Sequence, residues 1–385
     1  SYTPTASSPA LVAASAALAG NRARAASGRL AVFDALKAFA SQLIVLHHLA
    51  FYGPMSDWTQ VLLPDLVDWL SQDARMAVQI FLVVGGFLAA RSLAPRGVLL
   101  TPQPLMLLRK RYLRTVAPYL VALLLSLVCT ELARYWMEHD SLPERAELGQ
   151  FLAHALLLHG VLGFDSISAG VWYVAIDFQL FALLLGLLWV ARGLNGRLAL
   201  SATLLLLGVI LSLYGFNLDP DWDSWAVYFL GSYGLGALTY WATQPRHGLK
   251  GLGWLLLFTL LVQGALVVEF RERIALALMV ALLLGVAQQG QWLHRWPQGR
   301  AWAYFGQISY SVFLLNFPVA LVVNALFTRF APADPWVQTA GVVLAWMACN
   351  LAGAAFFHFV ERPLGRLGRV ARLPTDTSVT SRGGL

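Results

Sequence analysis

Charge is scarce in this chain. Only 12% of its 385 residues are charged and 58% are hydrophobic, where soluble domains carry about 25% charged residues. A soluble fold of this length cannot hide so much apolar surface, so the chain reads as an integral membrane protein. Cysteine is scarcer still. Cys129 and Cys349 both lie inside apolar runs, which excludes a disulfide framework or cysteine zinc spacing and leaves them as small hydrophobic filler. The alternating pattern of a membrane barrel is missing, and so is the internal repeat of an inverted-repeat transporter. There is no Walker loop, dinucleotide fingerprint, HExxH pair or GxSxG elbow. His154 and His159 are five positions apart, a poor spacing for one helix face, so they do not suggest a metal pair.

What the chain does have is a succession of apolar runs, each about 17–25 residues long, the length that spans a bilayer as a helix. They fall roughly at 30–52, 76–94, 112–133, 170–191, 197–216, 225–243, 251–268, 274–290, 302–327 and 337–360. A further apolar stretch at 149–160, GQFLAHALLLHG, is too short to cross easily and reads as a re-entrant or interfacial helix. The expected fold is all-α: a polytopic membrane bundle of about ten transmembrane helices plus that short one. With the N-terminus inside, most of the 27 basic residues fall in cytoplasmic loops, as the positive-inside rule requires. The outer side keeps only Arg75, Arg134, Arg145, Arg271, Arg273 and Arg329, and letting 149–160 cross would destroy the bias. The net charge of +7 is thus a matter of topology and not a nucleic-acid footprint. Residues 1–28, Ala/Ser-rich and without an acid, read as a disordered cytoplasmic tail or a transit segment. Residues 29–365 form the membrane domain, and 366–385 a cytoplasmic C-terminal tail.

The first apolar helix carries the strongest chemical signal. Lys37 and His48 are eleven positions apart, close to three helical turns, so they share one stripe about 16 Å apart along the axis. Asp34 shares that face with Lys37. Ionisable groups on one side of a membrane helix are costly unless they serve or pair with something. His48, near the outer end, has the chemistry of a general base. A polar helix contact is the plainer alternative. Arg111 and Arg114, in RKRYLR at the mouth of the third span, present guanidinium forks suited to phosphate, or a simple positive-inside anchor. Asp177 lies inside VWYVAIDFQLF and is expected to face a polar cavity, beside Gln179 or near His48. Gly85 and Gly86 allow close helix approach, or close approach of the backbone to a substrate. Ser309, Tyr310 and Asn316 lie in FGQISYSVFLLNFP, where Asn316 is placed to bond across helices, and Glu361 with Arg362 suggests a local ion pair or, equally, a catalytic group.

Taken in order, these segments resemble the acyltransferase-3 family, polytopic bacterial enzymes that O-acylate glycans and related molecules. DALK with His48 matches the family's first-helix pattern of a basic residue and a histidine. VQIFLVVGGF at 78–87, Arg111 and Arg114, WYVAIDFQLF at 172–181 (with Trp172 and Asp177) and GQISYSVFLLNFP at 306–318 match the next four. The likeness covers roughly residues 30–365. Departures are Lys37 for the commoner arginine, Gln79 and Gly85 for a frequent aspartate and serine, Asn316 for a frequent histidine, and Pro118 one position late.

The resemblance implies a membrane O-acyltransferase with catalytic His48 and Asp177 and donor-binding Lys37, Arg111 and Arg114. Asp34, Gly85, Gly86, Trp172, Ser309, Tyr310, Asn316 and Glu361 would organise the site. Acyl-CoA, acetyl-CoA in the simplest case, would be a substrate rather than a resident cofactor, and no metal is implied. The acceptor would be a glycan or other hydroxyl compound, and the location a bacterial inner membrane with both termini cytoplasmic. Intramembrane Lys37, His48 and Asp177 also suit a proton relay, so a proton-coupled transporter or flippase is the competing expectation.

Overall fold

The computed structural model describes residues 30–370, so the expected N-terminal tail and residues 371–385 lie outside the described residues. No strand occurs among the described residues. The chain runs through α1 (Ala31–Phe51), short α2 (Met55–Leu62) and α3 (Pro64–Gln72), then α4 (Val78–Leu93), α5 (Pro104–Trp136) and short α6 (Leu148–Ala155). It continues through α7 (Trp172–Gly193), α8 (Leu198–Tyr214), α9 (Ala226–Ala242), α10 (Leu249–Val268) and α11 (Glu272–Gln289). Last come α12 (Arg300–Phe330), α13 (Pro335–Phe356) and α14 (Arg362–Val370).

Among the described residues, eight helices are long and apolar enough to cross a membrane. The other two expected spans are helices as well: α1, of 21 residues, which carries Asp34, Lys37, His47 and His48, and α9, of 17 residues. The expected short helix at 149–160 is α6, opened by a reciprocal cap between Glu147 and Gln150 and ended after one more turn of backbone. The helix at the C-terminal end runs on to Val370, into the stretch expected to be tail.

Two helices organise the packing. α12 lies along α1, α5 and α13, and α9 lies along α4, α8 and α11. Every residue from Gly231 to Ala242 of α9 is buried. The reason is the small residues of GSYGLGA, which admit neighbouring backbones directly. A Cβ on Gly236 would lie 2.0 Å from the carbonyl oxygen of Val83, and one on Gly86 would lie 1.8 Å from that of Tyr233. α4 and α9 therefore touch backbone to backbone at two reciprocal glycines, the close approach that drives helix association where water is absent. Gly306 does the same for α12 against α1, at Asp34. Asp334 accepts from the backbone N–H groups of Trp336 and Val337 and starts α13 at Pro335. These contacts place α1, α4, α5, α7 and α12 around one interior column.

Candidate active site

His48 lies in the last turn of α1, 5% exposed. Its Nδ1 bonds the side-chain oxygen of Asn316, on α12. The amide orientation is set from the other side: Nδ2 of Asn316 donates to the carbonyls of Val312 and Phe313 at 3.2 and 2.7 Å. Only the oxygen remains for the imidazole, and an amide oxygen only accepts. Nδ1 therefore carries a hydrogen, and in the neutral ring Nε2 carries the lone pair.

The ring edge bearing that lone pair faces Gly170, just ahead of α7. A Cβ there would lie 3.1 Å from Cε1 of His48 and 3.7 Å from Nε2, and the residue adopts φ +83°. Glycine suits both demands, the left-handed backbone and the close approach. Tyr52 and Phe317 pack edge-on to the imidazole, with centroids 5.7 and 6.3 Å away. His47 faces elsewhere, bonding the carbonyl of Leu70.

One step along the column, Phe81, Tyr173 and Phe313 form a ring cluster with centroid distances of 5.5–6.1 Å. Beyond it is an ion pair. An Nη of Arg111 donates to Oδ2 of Asp177 at 2.5 Å, and the guanidinium lies over the ring of Phe181. Oδ1 of Asp177 lies against Gly85, where a Cβ would come within 3.1 Å of it and of the Tyr233 ring. Gly85 thus makes room for the carboxylate, while its neighbour Gly86 packs helices. The hydroxyl of Tyr310 donates to the carbonyl of Thr115 at 3.1 Å, tying α12 to α5 at this level.

At the far end of the column, Lys37 Nζ is 3.8 Å from Asp34 Oδ1. Ser311 donates to the carboxylate of Glu361, and Arg114 and Lys37 are close enough to act on it electrostatically. Glu361 therefore joins α1, α5 and α12 at a shared polar end, in place of a local pair with Arg362. Arg109, Lys110 and Arg114 are exposed around the same end.

The structure brings the expected residues together along the interior helices but pairs them differently. The imidazole's partner is Asn316, and the partner of Asp177 is Arg111. Gln179 donates to the carbonyl of Leu157. Ser309 bonds the carbonyl of Gly306 in its own helix, and Trp172 packs on Phe229, with centroids 5.5 Å apart. Gly170, Tyr173 and Tyr233 were not anticipated. The only sequence signal for Gly170 is a glycine two residues ahead of Trp172, where that span begins.

His154 and His159, whose spacing argued against a shared face, are stacked, with centroids 3.8 Å apart and planes at 7°. The helix ends between them and Leu157 takes φ +59°, so the chain doubles back. No group of three or more His, Cys, Asp or Glu suited to a metal ion occurs among the described residues.

The arrangement offers an imidazole held by an amide at one end of the column and a set of cations at the other. A family model described as an acyltransferase domain matches residues 30–354. No match is found among curated proteins or among solved structures.

Proposed function

The chain belongs to the acyltransferase-3 family and is a membrane acyltransferase, and from that premise we propose that it moves an acyl group, acetyl in the simplest case, from cytoplasmic acyl-CoA to a hydroxyl of a cell-surface or exported glycan. The observation that carries this reading is the Asn316-held imidazole of His48, with Nε2 turned toward Gly170.

The chemistry follows from that geometry. His48 Nε2 takes the proton of the acceptor hydroxyl as its oxygen attacks the thioester carbonyl. The new C–O bond forms, the C–S bond breaks, and the departing CoA thiolate recovers the proton from the imidazolium. Asn316 holds the ring in the tautomer the step needs. The ion pair of Arg111 with Asp177 positions the middle of the path, and the exposed guanidinium of Arg114, with Lys37, meets the phosphates of the donor. The two ends then belong to different membrane faces, donor inside and acceptor outside. This agrees with a bacterial inner membrane and cytoplasmic termini, the orientation the basic loops favour.

The test uses purified parent and His48→Ala proteins in lipid, given acetyl-CoA labelled in the acetyl group, with and without glycan extract from the source cell. Label in the glycan and CoA release from the parent alone are expected. Equal transfer by His48→Ala would remove the imidazole from the step. No transfer by either protein, with longer acyl-CoAs also supplied, would overturn the donor assignment.

A further inference from the structure

A cleft of about 260 Å³ opens beside the C-terminal end of α5, outside the column just described. Its walls include Leu127, Thr130, Glu131, Glu144, Arg145 and Ile167. It lies at the His48 end of the bundle. Ala133 and Met137, on and just after α5, pack with Phe317, Tyr52 and Ala169, and Tyr52 and Phe317 are the rings that flank His48. Ile167 is three residues before Gly170, so no more than about 11 Å of chain separates the cleft wall from the backbone that faces His48 Nε2.

The cleft combines one unpartnered hydroxyl with charged and apolar wall residues. Thr130 is 5% exposed and its hydroxyl has no hydrogen-bond partner. A buried threonine in a helix can bond the carbonyl four residues back, and this one does not. Glu131 is held between Arg134 and Arg145 at 3.4 and 3.5 Å, and Arg134 also donates to the carbonyl of Pro143. The wall carries two acids, Glu131 and Glu144, against one base, Arg145, with Arg134 joining Glu131 from beside it; no surplus of cations is there to hold a phosphate or a sugar acid, so an uncharged ring fits better. Leu127 and Ile167 supply apolar surface for the C–H face of such a ring. The volume is just under the ~300–1,000 Å³ of ordinary ligand clefts, room for one ring and not a chain.

We propose that this cleft is a subsite for a neutral sugar residue of the acceptor glycan, which holds the chain while another residue presents its hydroxyl to His48. The assignment rests on the glycan-acceptor reading above. It adds Thr130, Glu131, Glu144 and Arg145 as residues that set acceptor choice.

A binding measurement separates the two claims, because it needs no acyl donor. The parent in nanodiscs is titrated with methyl glycosides of glucose, galactose, mannose and rhamnose, and in a separate arm with glycerol phosphate, by saturation-transfer NMR. At least one neutral glycoside is expected to bind the parent and Val128→Ala, whose side chain is exposed on the same helix outside the cleft. Thr130→Val should weaken that binding about tenfold, the usual worth of one hydrogen bond, and Thr130→Trp, which fills the cleft, should abolish it. With the glycan as acceptor, Thr130→Val should raise the acceptor KM by a similar factor while the KM for acetyl-CoA stays within twofold of the parent's. No glycoside binding to the parent, equal binding by parent and both Thr130 variants, or binding of glycerol phosphate alone would overturn the subsite. Glycoside binding lost in Thr130→Trp, together with absent acyl transfer in the parent, would keep the subsite and reject the donor.

Discussion

His48 and Asn316 are 268 residues apart in the chain and meet through a single hydrogen bond whose direction is determined by the amide, not by the imidazole. Because both N–H groups of Asn316 are taken by carbonyls of its own helix, its oxygen faces the ring and selects one tautomer. The partner carries no titratable proton, so the ring's orientation does not depend on the charge of its support.

Replacement of Asn316 should therefore act on turnover. In Asn316→Ala the imidazole loses its acceptor, and the tautomer with Nε2 protonated competes. We expect kcat to fall at least about tenfold, within the ~10²–10⁴ that general-base catalysis supplies, with the KM for acetyl-CoA little changed. Asn316→Asp, which keeps an acceptor oxygen at the same position, should recover most of the loss. Steady-state kinetics of the two variants decide it, and equal kcat for parent and Asn316→Ala would show that the bond is not used.

The pair of Arg111 and Asp177 makes a different prediction, because removing one partner strands the other charge. For a fully buried pair the cost is about 3–5 kcal/mol. With the Arg111 side chain 38% exposed, about 2 kcal/mol is the expectation for Asp177→Asn. Arg111→Gln combined with Asp177→Asn should restore most of the lost Tm. If Arg111 also serves the donor path, the double variant remains poor in kcat/KM while its Tm recovers. A double variant as unstable as Asp177→Asn would mean that the residues do not act as a pair.

The helical spans and the stripe of Asp34, Lys37 and His48 were legible because they depend on local pattern: apolar length for the spans, a 3.6-residue period for the stripe. The partners were not. Any of several polar groups facing one cavity satisfies the sequence argument for Asp177, and only the packing of α5 against α7 selects Arg111. Gly170 was hidden because its need for a positive φ and for closeness to His48 arises from a loop that returns on itself. That return is held by the backbone N–H of Ile167 donating to Nε2 of His154 at 3.1 Å, a contact no periodicity announces. For Glu361 the sequence left a local pair and a chemical role equally open, and the partner in the structure is Ser311, fifty residues earlier.

Gly85 and Gly86 are neighbours with the same expected role and should fail differently. Alanine at 86 places a methyl 1.8 Å from the Tyr233 carbonyl oxygen, a backbone atom that cannot yield without parting α4 from α9. Alanine at 85 meets Asp177 Oδ1 and the Tyr233 ring at 3.1 Å, side-chain atoms that can shift by a few tenths of an ångström. Gly86→Ala should lower Tm or folded yield sharply. Gly85→Ala should stay folded and lower kcat/KM by displacing the carboxylate from Arg111. Thermal melts in detergent beside activity assays test the contrast, and equal Tm for the two variants would refute it.

The stacked pair of His154 and His159 gives the segment that carries Gly170 a dependence on acid. Nδ1 of His154 donates to the carbonyl of Gln150 at 2.8 Å, and its Nε2 accepts from Ile167, so the ring is neutral when the loop is closed. His159 is 1% exposed with neither ring nitrogen bonded. Burial, followed by the neighbouring His154, pushes its pKa from 6.5 down to about 3, and burial lowers that of His154 as well. The unfolded segment therefore takes up protons more readily than the folded one. The stabilisation is complete above pH 6.5 and is lost progressively as the pH falls from there toward 3. A loosened 156–171 segment releases Gly170 from His48, so acid should reduce activity through the loop as well as through the base. His159→Phe, which keeps an aromatic ring in the stack and cannot take up a proton, should shift the acid limb of loop stability to lower pH. Hydrogen exchange at the Ile167 amide, followed from pH 7.5 to 4.5, is the direct readout. Protection that falls with the same pH dependence in parent and His159→Phe would show that His159 does not govern the loop.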